Sequence, residues 1–149
     1  MDSVVVFTLE GQRIGLPLGT VERAVRVVDV TPLPKAPQIV RGLINVQGRI
    51  VPVVNTRKRF GIPEREVALS DQFLIAHTST RTVAMWVDTV TGVVECNERD
   101  FVTAEAIVPG MEYVKGIVKL ADGMILVHDL DTFLSLEEQQ SLDQAIGNA

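Results

Sequence analysis

The sequence predicts a mainly β protein made of two related lobes and a short C-terminal helix. Three observations point there. Apolar residues make up 46% of the chain and aromatic residues only 5%, so Val, Ile and Leu must build the core, and β-branched side chains favour strands. Short apolar runs are separated by glycine-bearing polar turns, among them Glu10-Gly11, Gln47-Gly48 and Asp122-Gly123. The order of elements also repeats once at an offset of about 70 residues, too long for a solenoid repeat.

Residues 4–9, VVVFTL, read as a buried strand, and Glu10 to Arg13 as the turn into a second strand at IGLPL, Ile14 to Leu18. The next stretch, TVERAVRVVDV, offers Val21, Ala24, Val25 and Val28 as a helical stripe, but its valines and the alternation in RVVDV favour a strand. Pro32, Pro34 and Pro37 mark a connecting loop. Leu43 to Val46 and Arg49 to Val54 form a hairpin in which Gly48 supplies a positive φ, and Pro52 must face an edge or a bulge because it has no N–H to give a ladder. Ile62 to Glu66 is a polar loop.

The second half echoes the first. FTLEGQRIGLPLGTVERAV, from Phe7, returns as FLIAHTSTRTVAMWVDTVTGVV, from Phe73, setting Ile14 against Val83, Val21 against Val90 and Val25 against Val94. IVRGLINVQGRIVPVVNT, from Ile39, returns as YVKGIVKLADGMILVHDL, from Tyr113, with one extra residue at an Asp122-Gly123 turn. The lobes run from about 7 to 66 and from about 72 to 134, within one domain spanning 1–149. Each holds about five short strands, and closing each sheet into a small barrel would remove exposed edges. Ser135 and Glu138 have capping-box spacing, so a helix over 136–146 ends at Gly147 and covers a barrel end.

A net charge of −5 speaks against nucleic acid as a partner, since phosphate binding needs a basic face. The compact basic run Arg57-Lys58-Arg59 reads as a solvated strand end. A single cysteine, Cys96, excludes an internal disulfide and fits a reducing compartment. No apolar run is long enough to cross a bilayer, and MDSVVVFTLE lacks the pattern of a signal peptide, so a cytoplasmic protein without membrane insertion is expected.

The residues that carry chemistry are few. His77 and His128 fall at non-equivalent places in two predicted strands, and neither has a cysteine or second histidine at metal-ligand spacing. His128-Asp129-Leu130-Asp131 lies where a strand runs into the last helix, which suits capping better than metal binding. Cys96 has no matched base, Asp88 and Asp129 are not paired as acid and base, and no phosphate-cradling glycine loop occurs. Trp86 suits a core, an interface between lobes or an exposed contact. No cofactor, metal site or enzymatic activity is expected. A protein-binding module remains, one that offers strand edges and grooves.

The stretch VRGLINVQGRIVPVVNTRKRFG, residues 40–61, resembles the signature of the CheW-like domain family. FTLEGQRIGLPL, the prolines at 32–37, VAMWVDTVTGVV, YVKG and LSLEEQQSLD extend the resemblance over nearly the whole chain. It implies two intertwined five-stranded SH3-like β-barrel subdomains on a shared apolar core. It also implies an adaptor without catalytic activity, joining a CheA-like histidine kinase to the cytoplasmic tips of methyl-accepting chemotaxis receptors. The chain resembles the stand-alone adaptor rather than a kinase or a response-regulator fusion. Carried over by position, the receptor side maps to Val21, Arg23, Val25, Asn45, Gln47 and Gly48, and the kinase side to Gly42 and Val93. Gly42 and Gly48 would be needed for backbone shape whatever bound there, and Val21, Val25 and Val93 also suit a core.

Four positions, at three places in the chain, depart from the family's habit. Gln47 stands where many relatives have arginine, Arg23 where an acidic residue is common after the Val21 position, and Asn55-Thr56 where Asp-Leu is usual. A charge is thus lost at 47 and reversed at 23, which motivates an alternative: a divergent CheW-like scaffold in a non-chemotactic signalling array.

Overall fold

The computed structural model describes residues 3–103 and 113–147. Along the first half run β1 (Ser3–Leu9), β2 (Gln12–Pro17), β3 (Val21–Arg26), β4 (Val40–Val46), β5 (Arg49–Val54) and the one-turn helix α1 (Thr56–Arg59). The second half carries β6 (Gln72–His77), β7 (Thr82–Val87), β8 (Thr89–Glu95), β9 (Phe101–Thr103), β10 (Val114–Leu120), β11 (Gly123–His128) and α2 (Leu136–Gly147). The valine-rich stretch after Thr20 is a strand, as its β-branched residues favour, preceded by a single 3-10 turn at Leu18–Thr20.

The strands form a six-stranded sheet in the order β8-β1-β2-β11-β10-β9 and a five-stranded sheet in the order β3-β6-β7-β5-β4. Pairing is antiparallel except where β2 meets β11 and β5 meets β7. Each sheet therefore combines the leading hairpin of one repeat with the later strands of the other. β1–β2 joins β8, β10 and β11, while β6–β7 joins β3, β4 and β5. Sheet membership does not follow the lobe boundaries expected at 7–66 and 72–134.

The reason lies in how the hairpins are buried. Along β1, Val4 and Val6 enter one apolar cluster while Val5, Phe7 and Leu9 enter another. Along β6 and β7, Phe73, Ile75, Ala84 and Trp86 enter a cluster within the five-stranded sheet, and Leu74, Ala76, Val83 and Met85 meet the residues of β1. A strand covered on both faces reads as a continuous apolar run rather than an alternation. Such a hairpin must lie in the middle of the molecule, and the shared cluster of both sheets is that middle. Leu142 and Ala145 of α2 belong to it as well, so the last helix is anchored in the shared core rather than merely covering an end.

The repeat is exact enough to preserve individual backbone bonds. The Asn55 N–H donates to the Ile39 carbonyl at 2.7 Å, and the Asp129 N–H donates to the Tyr113 carbonyl at the same distance. Both copies also shift register just before their glycine, between Val40 and Gly42 and between Val114 and Gly116.

The hairpin turns differ from expectation in detail. Gln47 and Gly48 have φ of 52° and 85°, so both residues are left-handed, as a two-residue type I′ turn requires. Glu10 and Gly11, at 49° and 77°, repeat that geometry. In the second copy Leu120 pairs with Gly123, so the turn is Ala121-Asp122 and Gly123 already belongs to β11. No residue is inserted, since Val46 pairs with Arg49 across a turn of the same length. Without positive φ at Ala121 or Asp122, the bend passes its left-handed step to Gly123 at 146°.

Pro52 sits opposite Leu43, whose N–H and carbonyl both bond Thr31 at 2.8 Å on the far side of β4. The pair is thus one that exchanges no bonds, and β5 meets β7 only at Val53 and Val54. Pro52 lacks a donor where no ladder asks for one.

Candidate functional site

The six residues assigned to the receptor side come from two distant stretches, and the fold brings them onto one end of the five-stranded sheet. β3 is an edge strand paired with β6, and its register shifts between Val21 and Arg23, which leaves Glu22 in a bulge. The bulge splits the two valines. Half-buried Val21 packs on the shared core and half-buried Val25 on the core of the five-stranded sheet, while Glu22 and Arg23 stay exposed.

These exposed side chains reach the β4–β5 tip. Arg23 Nη2 donates to Gln47 Oε1 at 3.0 Å, and Arg49 pairs with Glu22 through two hydrogen bonds of 3.2 and 2.5 Å. Bonds from Arg49 hold the Glu22 carboxyl below its ordinary range. Asn45 Oδ1 accepts the Gly48 N–H at 2.7 Å and so braces the turn. Exposed Ile50 pairs with Asn45 across the hairpin, giving the polar tip an apolar flank.

Glu22 and Arg49 escaped the sequence reading. A carboxylate and a guanidinium are both present at this tip, each one or two positions from where the family habit was sought. The bulge at Glu22 and its pairing with Arg49 are tertiary features that the local sequence does not announce. The charges of these two residues pair with each other at this tip.

The two kinase-side residues are not brought to that tip. Gly42 is buried, and a Cβ there would lie 2.3 Å from the Thr31 carbonyl oxygen at a φ of 150°. Its place is set by the chain crossing over β4. Val93 is 55% exposed on β8, an edge of the six-stranded sheet, paired with Val5.

The basic run is not a solvated strand end. It forms α1, capped by Asn55, whose Oδ1 accepts the Lys58 N–H at 3.1 Å and whose amide donates to Glu64 at 2.7 Å. Arg57 is 1% exposed and binds Glu10, Asp88 at 2.7 Å and the Pro63 carbonyl at 3.1 Å. Arg59 donates to the Tyr113 hydroxyl and to Glu138 of α2 at 2.9 and 2.6 Å. A charge run at a strand end gives no hint of this, because burial of a guanidinium depends on carboxylates placed there by other elements. Trp86 is fully buried, donates to Asp71 at 2.8 Å and has the guanidiniums of Arg41, Arg57 and Arg65 over its ring.

His77 and His128 end strands of different sheets yet line one cavity of about 100 Å³ with Lys115, Asp129 and Asp131. His128 is buried against Phe60 and Phe133, and among the described residues neither ring nitrogen makes a well-formed hydrogen bond. Burial drives its pKa down to about 4, against a smaller opposing pull from the Tyr113 backbone. Among the described residues no carboxylate bonds it, as a general base would require. Asp129 caps the turn at Leu130–Thr132 by accepting the Asp131 N–H, as its position at the strand end suggested. Buried Cys96 has its thiol pKa raised by burial, the opposite of an activated nucleophile. Among the described residues no group of three or more His, Cys, Asp or Glu side chains could hold a metal ion, and no helix is long and apolar enough to cross a membrane.

The CheW-like domain model matches residues 3–138. Chemotaxis protein CheW of Thermotoga maritima is 30% identical over 131 residues, covering 88% of this chain and 86% of its own length. Chemotaxis protein CheW of Treponema pallidum is 28% identical over 145 residues, covering 93% and 85%. The crystal structure of the scaffolding protein TtCheW from Thermoanaerobacter tengcongensis superimposes with a TM-score of 0.83 at 28% identity, over 92% of this chain and 94% of that one. With the exchanged hairpins, the two sheets on one core and a match that runs almost end to end, the chain belongs to the CheW-like domain family.

Proposed function

We propose that this chain is a non-enzymatic adaptor that couples chemoreceptors to a CheA-like histidine kinase in chemotaxis signalling. The observation that carries the reading is its likeness, over most of its length, to chemotaxis proteins named CheW. The tip formed by β3 and the β4–β5 hairpin is the receptor-facing surface, with Arg23, Asn45 and Gln47 as contacts and Val21, Val25 and Gly48 holding them in place. Val93, exposed on β8, is the kinase-facing residue, and Gly42 shapes the strand behind the tip. The protein works in the cytoplasm as one domain over residues 1–149.

Co-sedimentation with cytoplasmic receptor fragments and a CheA-like kinase tests the reading. The expected result is a ternary pellet that requires this chain; failure to bind any CheA-like regulatory domain from the same organism sinks it. Arg23→Ala or Gln47→Ala should weaken the receptor arm and leave the kinase arm alone, whereas Val93→Asp should do the reverse. Unchanged receptor binding in both tip variants would remove the tip from the interface.

A further inference from the structure

The repeat places one contact of the same kind in each half, from the segment after the last strand of a copy to the turn of that copy's leading hairpin. Because hairpins are exchanged, both contacts cross from one sheet to the other. In the second half, Asp131 Oδ1 accepts the Ser79 N–H at 2.7 Å in an exposed position. In the first half, buried Arg57 reaches the half-exposed Glu10 side chain in the β1–β2 turn.

Asp88, which links β7 of one sheet to β8 of the other, is the centre of a charged cluster around Arg57. It accepts from Arg57 at 2.7 Å, from Arg65 at 2.9 Å and from the Glu10 N–H at 2.9 Å, and its own N–H donates to the Thr8 carbonyl at 3.0 Å. Arg65 also grips Asp71 with bonds of 2.7 and 2.9 Å. Three carboxylates, Glu10, Asp71 and Asp88, thus pair with two guanidiniums, Arg57 and Arg65, which also lie over the Trp86 ring.

We infer that Arg57 is a positioning residue, which fixes the angle between the two sheets and so transmits a load from the receptor-facing tip to the kinase-facing strand. The inference rests on the adaptor reading above, in which the tip lies on the five-stranded sheet and Val93 on the other. An adaptor whose two binding faces sit on different sheets can bind both partners with a loose joint, but it can pass information only through a stiff one. The cluster holds Asp88, the residue at which the chain passes from the five-stranded sheet at β7 to the six-stranded sheet at β8. It uses charge pairs, whose directional bonds fix an orientation that apolar packing alone would leave free to slide.

Two variants test the inference. Arg57→Met removes the bonds that Arg57 itself makes to Glu10 and Asp88. Glu10→Gln weakens only the end on the six-stranded sheet, and the turn accepts it because Gln47 occupies the matching position of the other type I′ turn at a φ of 52°. Binding to a receptor cytoplasmic fragment and to a CheA-like kinase is measured separately, then kinase autophosphorylation is measured in the ternary assembly. Both variants should keep each pairwise affinity while receptor control of the kinase falls, by about tenfold for Arg57→Met and less for Glu10→Gln. Unchanged control in folded Glu10→Gln and Arg57→Met overturns the inference, as does a loss of control that merely tracks weaker pairwise binding. Should Arg57→Met fail to fold, Glu10→Gln decides. Failure of the unaltered chain to bind either partner overturns the adaptor reading itself, a result separate from both.

Discussion

At the scale of the residue, two positions show how differently sequence and environment speak. Gly42 stands in a motif that the sequence marks, yet what makes glycine necessary there is the Thr31 carbonyl 2.3 Å from any added Cβ. Gly42→Ala should therefore cost about 3 kcal/mol or more, read as a lowered urea midpoint, because strain and collision act together. A midpoint near that of the unaltered chain would refute this account. Loss of kinase binding in such a variant would report a deformed strand rather than a lost contact. His128 looked like a candidate for chemistry, and the structure makes it a buried neutral ring. Its folded pKa of about 4 lies below the ordinary 6.5, so the unfolded chain takes the proton first. Stability from this group is complete above 6.5 and is lost as pH falls toward 4, by about 3 kcal/mol in all. His128→Phe, which suits the aromatic neighbours Phe60 and Phe133, should flatten the fall of the urea midpoint between those pH values. An identical pH profile in the variant would show that the ring is not the group being titrated.

At the scale of the element, capping was legible where it is local. Ser135 Oγ accepts the Glu138 N–H at 3.0 Å and Glu138 returns the bond to the Ser135 N–H at 2.8 Å, the reciprocal pair that their spacing predicts. Ser135→Ala should cost about 1 kcal/mol, measured as a lower melting temperature, with the helical circular dichroism of α2 fading first. No change in melting would mean that Arg59, which also holds Glu138, suffices to keep the helix docked. α1 was not legible. Asn55 looked like a departure from a family habit, whereas in the structure it caps a single helical turn and aims Arg57 inward. Four residues carry too little periodicity to announce a helix, and such a turn has no stability apart from what it packs against. The hairpins fell between these cases. Their existence follows from glycine and apolar runs, but the turn residues of the second hairpin come from which strand residues pair, and register is decided by the buried face.

At the scale of the whole molecule, the exchange of hairpins makes the two halves mutually dependent. Each sheet lacks its central hairpin until the other repeat supplies it, so cutting the chain within 67–70 should yield two fragments that are unfolded alone and regain β structure when mixed. Circular dichroism of each fragment and of the mixture checks this, and an independently folded fragment would contradict the interlocked core. The same interlock makes one unfolding transition the expectation for the intact chain. By itself the sequence determined the β class, the doubled order of elements, the turn at Gln47-Gly48 and the family, because these rest on local propensity, periodicity and motif spacing. Only the tertiary structure decided which repeat each hairpin joins, that Glu22 meets Arg49 at the tip, and that Arg57 is a buried tie between sheets rather than part of a solvated charge run. Those outcomes depend on contacts between residues dozens of positions apart, and a strand apolar on both faces does not say in advance which partner will cover it.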